Sequence, residues 1–349
     1  LWLACLRGNI FLKTFSTDFD QVAQIAFSKD QEIAEFNPDI IFLYQDSRNL
    51  IDVLQGNHSE SIKNQVEQQI GFARKFQENY SAVTMLNTLV PPSDANHSDA
   101  DLTHNASVRF NIALYNRCLT DDVVGTGNFI FDLENLASSV GTWRWGKSDY
   151  WHLAKMPFDP VCIPVFAERF ASLIAAHGGK SRRVLVLDCD NTLWGGVIGD
   201  DGIDGVKIGQ GSAAGEAFVE IQRTALSLRK RGIVLAVSSK NTEEVALDVF
   251  KNHPDMLLRE EHISVFRINW IDKAANIEDI AKVLDLGLQS FVFLDDNPAE
   301  RERVRQALPE VAVPEVGSNP ADYPSLLVQA GYFNATFFSE EDSKRADMY

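Results

Sequence analysis

No apolar run in the chain reaches the length of about eighteen residues that a membrane-crossing helix needs. The opening residues, Leu1 to Phe15, carry Arg7 and Lys13 inside a strand-like pattern, not the apolar stretch and cleavage site of an export signal. Both absences argue against a membrane-bound or secreted protein, and the expectation is a soluble, cytoplasmic one. Cysteine is sparse. Cys5, Cys118, Cys162 and Cys189 are scattered with no C-x-x-C pair, which argues against a disulfide framework or a zinc site and fits a reducing compartment. Positive charge is also short, with 32 Lys and Arg against 49 Asp and Glu and a net charge of −17. The deficit is shared, 13 basic against 21 acidic residues before Gly179 and 19 against 28 from there on. Bulk attraction to nucleic acid or to an anionic membrane is therefore not expected, although a local cluster such as Lys180, Arg182 and Arg183 could meet an anionic partner. There is no internal repeat and no low-complexity tract. There is no initiator Met either, and the chain opens within apolar sequence, from which we expect a first element of the fold to precede Leu1.

What is present is ordinary globular composition, 45% hydrophobic and 23% charged over 349 residues, enough for at least one sizeable core and in all for two. The polar stretch His177-Gly178-Gly179-Lys180-Ser181 marks a domain boundary, giving units at 1–178 and 180–340, with 341–349 as a linker. In the second unit, strands are expected at Val184–Asp188, Ile233–Ser238, Ile263–Ile268, Phe291–Asp295 and Val311–Val316. Their β-branched and aromatic runs are nearly continuous, as in parallel strands buried on both faces. Between them Phe218, Ile221, Ala225 and Leu228 form one helical stripe, and Ile277, Ile280, Ala281 and Leu284 another. The first unit alternates more loosely. Strands are expected at Asn9–Phe15, Asp39–Tyr44, Ala82–Leu86 and Asn128–Phe131, and helices near Asp18–Phe27, His58–Glu78, His104–Cys118 and Val161–His177. Pro91 to Ala106, rich in Asp, Asn, Ser and His, is expected as an exposed loop. The fold class is α/β, two three-layer α/β/α domains in tandem.

The chemistry concentrates at strand ends. The run Val184-Leu-Val-Leu-Asp188-Cys-Asp190-Asn-Thr192-Leu-Trp194-Gly195-Gly196 ends a buried strand in two carboxylates two positions apart. Both face the edge where open α/β sheets bind ligands. An Asx-rich turn is the plain alternative. Three later strand ends add to the pattern: Ser238-Ser239-Lys240-Asn241, then Asn269-Trp270-Ile271-Asp272-Lys273, then Asp295-Asp296-Asn297-Pro298. Singly these read as helix caps or a surface lysine. Together they place hydroxyls, an amine and acids at the carboxyl ends of successive strands.

In this order the motifs resemble the haloacid-dehalogenase-like (HAD) phosphohydrolase superfamily over roughly Arg183 to Tyr323. The wording D-x-D-N-T-L-W-G-G, S-K-N and D-D-N-P-x-E-R resembles its FkbH-like branch. The resemblance implies a parallel-sheet phosphatase fold and an aspartyl-phosphate intermediate, with Asp188 as nucleophile and Asp190 as general acid and base. It implies Mg2+ held by Asp188, the Asp190 main-chain carbonyl, Asp295 and Asp296. Thr192, Ser239, Lys240, Asn241 and Lys273 form the implied phosphate-binding set, Thr192 as a brace of the loop. The implied substrate is a phosphorylated small molecule, in the FkbH-like case a phosphoglycerate-derived glyceryl unit bound for an acyl carrier protein. A small-metabolite or sugar-phosphate phosphatase and a non-catalytic docking module are the alternatives. Residues 341–349 resemble the start of a linker to a further acetyltransferase-like domain.

Only 46 residues lie between Thr192 and Ser239, taken up by a Gly-rich hairpin (Trp194 to Gly211) and one helix, so no cap domain is expected over the site. The thiol of Cys189 could carry an acyl group, but strand alternation points it away from Asp188 and Asp190 and favours a packed core position. In the first unit Asp149-Tyr-Trp-His152 resembles the last block of SGNH-type esterases. The resemblance implies an Asp and a His that activate a serine, but no Gly-Asp-Ser occurs between Leu1 and Asn9, so a catalytically silent relative is expected. Trp143, Trp145, Tyr150 and Trp151 then serve as packing or interface aromatics.

Overall fold

Apolar runs of four residues, VLVL and FVFL, can only be satisfied where both faces of a strand are covered, and that is how the chain uses them. In the computed structural model, described over 1–7, 10–18, 21–56, 59–92, 98–146, 148–337 and 345–348, the chain forms two compact units, Leu1–Ala171 and Ser172–Tyr349. The division falls inside the helix Ile163–His177 and not at the polar stretch that follows it. No helix among the described residues is long and apolar enough to cross a membrane.

The second unit holds β4 (Val184–Leu187), β5 (Val234–Ser239), β6 (Val265–Ile268) and β7 (Phe291–Leu294), all parallel in the order β6-β5-β4-β7. Register pairs Leu187 with Val237 on one side and with Leu294 on the other. Alternate side chains then feed two cores. Leu185, Leu187, Leu235, Val237, Val292 and Leu294 pack with Phe218, Ile221, Ala225 and Leu228 of the helix Ala213–Lys230. Val184, Val186, Val234, Ala236, Phe291 and Phe293 pack with Ile277, Ile280, Ala281 and Leu284 of the helix Lys273–Leu284. Both stripes fall where the sequence spacing put them.

The stretch Val311–Val316 is not a strand. It touches β7 at one parallel bridge, Val292 to Ala312, and Pro314 has no N–H to continue the ladder. Arginines take the next carbonyls instead, Arg305 that of Val313 and Arg301 that of Val316. The Trp194 to Gly211 segment is only partly a hairpin. Gly195 and Lys207 form one antiparallel bridge, and between them lies the short helix Ile198–Asp201. No inserted domain lies between β4 and β5 or between β5 and the Lys273 helix.

The first unit contains a parallel sheet of β1 (Ile40–Leu43), β2 (Val83–Asn87) and β3 (Phe129–Phe131), in that order. Its helices Ser59–Tyr80 and Val108–Val123 bury Ile62, Val66, Ala73 and Phe76 with Ile112, Tyr115 and Leu119 in one core. Phe42, Phe131, Phe166 and Phe170 form a ring cluster with centroids 5.0 to 6.1 Å apart. The expected strand Asn9–Phe15 is absent over its described part. Trp2–Arg7 is helical, residues 10–18 have no regular structure, and Phe11 and Phe15 are exposed. A period-two pattern makes a strand only where a neighbour supplies hydrogen bonds, and none is paired there. Asn9, His58, residues 93–97 of the polar loop and most of the expected linker (341–344 and 349) lie outside the described residues.

Candidate active site

Four loops leave the carboxyl edge of the second unit's sheet, and strand register brings them together. Because Leu187 lies beside Leu294, the residues that follow, Asp188 and Asp295, become neighbours, and the Asp188 N–H donates to the Leu294 carbonyl at 3.0 Å. Asn191 turns the chain in the left-handed region at φ 52°, a conformation that asparagine tolerates better than most residues. The N–H groups of Thr192 and Leu193 then donate back to the Cys189 carbonyl at 3.1 and 2.7 Å. Lys273 is the first residue of its helix, capped by the Asp272 carboxylate, which accepts from the Ala274 N–H. Asn297 caps the helix Pro298–Ala307, with proline at its first position.

The Lys273 ammonium lies 2.9 Å from Asp188 Oδ1 and also donates to Asp295 Oδ2. Asp188, Lys273 and Asp295 are all buried, Asp295 completely. Oxygen atoms of Asp188, Asp295 and Asp296 lie within 4.8 Å of one another. Three carboxylates against one ammonium leave two negative charges in a desolvated place. The protonation energetics register that surplus. Burial, then the Asp188 charge, pushes Asp295 up to about 7 and Asp296 up to about 6. Burial alone would lower Lys273, but Asp188 and Asp295 outweigh it, and its ammonium is held well above the ordinary lysine value.

Asp190 stands apart from this trio. Its Oδ1 accepts from Trp194 Nε1 at 2.8 Å and the Ile198 N–H at 3.1 Å, and its Oδ2 from Asn241 Nδ2 at 3.0 Å. Burial raises its pKa and these three donors hold it back. A cavity of about 320 Å³ opens over Asp188, Asp190, Ser239, Lys240, Lys273 and Asp296. Lys240 lies at its wall, 2.6 Å from the Glu300 carboxylate.

Two residues of the expected phosphate-binding set do not line the cavity. Thr192 is fully buried, its hydroxyl accepting from the Asp296 N–H at 3.1 Å, so it braces one loop against another. Asn241 donates to Ser239 Oγ at 3.1 Å and to Asp190, and so acts behind the wall. Cys189 is also fully buried, in the apolar core, and burial pushes its thiol well above its usual value. Sequence reasoning gave no role to three residues. Trp194 lies four positions after Asp190. Arg301 is buried and donates to the main-chain carbonyls of Asp295 and Asp296 at 3.0 and 2.7 Å, and Glu300 pairs with Lys240. All three stand inside the quoted motifs, so their position was the signal.

In the first unit, Asp149 and His152 are both exposed on the helix Ser148–Ala154. Trp145 is buried against Phe158 at 4.6 Å, Trp151 lies under the Arg48 guanidinium at 3.9 Å, and Trp143 is exposed.

Residues 4–175 match the family model described as FkbH, N-terminal domain. Over 97% of its length the chain is similar to the crystal structure of the N-terminal part of the protein BF1531 from Bacteroides fragilis, with 29% identity and a TM-score of 0.88, covering 90% of that chain. That structure contains a phosphatase domain and is complexed with Mg. No curated protein matches the chain.

Proposed function

We propose that the chain is a Mg2+-dependent phosphoryl-transfer enzyme of FkbH-like type, working through an aspartyl phosphate on Asp188. The observation that carries this is the buried Lys273 ammonium bridging Asp188 and Asp295, beside Asp296 and under an open polar cavity. A structural ion pair would need one carboxylate, and this cluster keeps a surplus of two. A divalent cation with hard oxygen ligands fits that surplus, and Asp188, Asp295, Asp296 and the Asp190 main-chain carbonyl would hold it. Bound there, it would neutralise charge on the transferring phosphoryl oxygens. The chain's own residues do the rest. Asp188 attacks phosphorus, Lys273 and the Ser239 hydroxyl orient the phosphoryl oxygens, and Asp190 gives a proton to the leaving oxygen and later takes one from water.

The FkbH match over residues 4–175 supports a phosphoglycerate-derived glyceryl unit delivered to an acyl carrier protein, and the lack of an inserted cap leaves the site open to so large a partner. A small-metabolite or sugar-phosphate phosphatase is the other outcome. Two measurements separate them. With Mg2+ and p-nitrophenyl phosphate the chain is expected to release nitrophenolate, and Asp188→Asn to abolish it; no release by the wild type would leave the docking-module reading. Intact mass spectrometry of a carrier protein incubated with 1,3-bisphosphoglycerate is expected to show a glyceryl mass gain in the presence of the full-length protein. Hydrolysis without that gain favours the simple phosphatase.

A further inference from the structure

The two oxygens of Asp190 are held differently. Among the described residues Oδ1 accepts from Trp194 Nε1 at 2.8 Å and from the Ile198 N–H at 3.1 Å, whereas Oδ2 accepts from Asn241 Nδ2 alone, at 3.0 Å. A carboxylate oxygen offers about two acceptor sites, so Oδ1 is filled and Oδ2 keeps one open. Neither donor to Oδ1 is free to leave. Trp194 is fully buried, set edge-on to Phe250 at 5.8 Å, and a buried indole N–H without a partner is unfavourable. Ile198 is buried as well and opens the short helix Ile198–Asp201, where the first N–H groups have no partner within the helix. The surrounding loop is closed by the Val197 N–H on Asp201 at 2.8 Å and the Gly196 N–H on Asn191 at 3.0 Å. The donor to Oδ2 has a second task, since the same Asn241 nitrogen reaches Ser239 Oγ at 3.1 Å.

From this asymmetry we infer that Trp194 and Asn241 are positioning residues that divide the labour of Asp190: Oδ1 is the anchor and Oδ2 is the oxygen that exchanges the proton. The inference rests on the phosphoryl-transfer reading. In the first half-reaction an Asp188 oxygen bonds to phosphorus, and the bond from phosphorus to the leaving oxygen breaks with its electron pair on that oxygen. The proton on Asp190 Oδ2 passes to it, giving an alcohol. In the second, the oxygen of water bonds to phosphorus, its proton passes to Oδ2, and the bond from phosphorus to Asp188 breaks to restore the carboxylate. With Oδ1 fixed, the carboxyl group cannot rotate away from the leaving oxygen, and Asn241 keeps Oδ2 in register with the Ser239 hydroxyl that orients the phosphoryl group.

A merely structural role for Trp194 would lower turnover of every substrate alike. A role in proton delivery weighs on leaving groups that need a proton. The test measures kcat/KM of the full chain with Mg2+ on p-nitrophenyl phosphate, whose leaving group departs as the anion, and on glycerol 1-phosphate, whose alkoxide must be protonated. The variants are Trp194→Phe, which keeps an aromatic ring but loses the N–H, and Asn241→Leu, which carries the same test should the first not fold. The ratio of nitrophenyl to glyceryl kcat/KM is expected to rise at least about tenfold in either variant, a share of what general acid catalysis supplies. An unchanged ratio in variants that melt cooperatively overturns the inference and leaves the phosphoryl-transfer reading intact. Failure of the wild type to turn over both esters sinks that reading, and the inference with it.

Discussion

At Lys273 a single side chain answers to two buried acids, and its removal weighs on folding and on catalysis together. Lys273→Met leaves Asp188 and Asp295 facing each other in a desolvated place without their counter-charge. Breaking a buried pair in this way destabilises by about 3–5 kcal/mol. The loss should appear as a lower melting temperature in metal-free buffer, and added Mg2+ should recover more of it than in the wild type. Phosphatase turnover should fall by about 100-fold or more, as for other removed charge-stabilising groups; a variant melting like the wild type would contradict the geometry. Asp149 and His152 call for the opposite outcome. Both are exposed on one helix, and no hydrogen bond joins them among the described residues. Hydrolysis of p-nitrophenyl acetate is therefore expected to be the same in the wild type and in His152→Ala; a drop in the variant would make the first unit an esterase. The acids and the lysine of the candidate site could be read from sequence because each ends a buried strand or opens a helix. Trp194 and Arg301 could not be given roles, because an indole or a guanidinium acts through hydrogen bonds that only the folded loops create.

The strands of the second unit could be placed because β4 and β7 are apolar at every position, and two-sided burial leaves no other use for VLVL or FVFL. Alternation failed where pairing, and not pattern, decides. Ile10 to Phe15 has no partner strand among the described residues, and Val311–Val316 is stopped by Pro314 and by arginines that take its carbonyls. Those arginines tie two elements to the site. Arg301, on the helix Pro298–Ala307, donates to the carbonyls of Asp295, Asp296 and Val316 and pairs with Glu315 at 2.6 Å. Arg301→Met would leave those acceptors unsatisfied in a buried place, a loss of about 2–3 kcal/mol. Urea unfolding should show it. The same variant should need more Mg2+ for half-maximal activity, because the loop bearing Asp295 and Asp296 loses its brace. Arg301→Lys is not expected to rescue either effect, since one ammonium cannot span the carbonyls that a planar guanidinium reaches.

For the molecule as a whole, the acidic cluster links stability to pH and to cation in a direction opposite to the usual one for carboxylates. In the folded chain Asp295 is raised to about 7 and Asp296 to about 6, by burial first and by the Asp188 charge second. An unfolded aspartate titrates near 3.9. Between about pH 4 and pH 7 the native state therefore binds more protons than the unfolded one, and its stability falls as pH rises through that window. In metal-free buffer the melting temperature is expected to be a few degrees lower at pH 8 than at pH 5. A net charge of −17 pushes the same way through general repulsion, so the fall alone does not identify the cluster. Asp296→Asn separates the two causes. It removes one charge of the seventeen and should leave general repulsion nearly unchanged, yet it takes a third of the carboxylates from the cluster and should flatten the fall. Mg2+ supplies the second discrimination. Bound in place of the protons, it should raise the melting temperature strongly at pH 8 and little at pH 5, and EDTA should reverse the gain. Equal stabilisation at both values, or an Asp296→Asn curve parallel to the wild type, would mean that the three carboxylates do not act together on one ion.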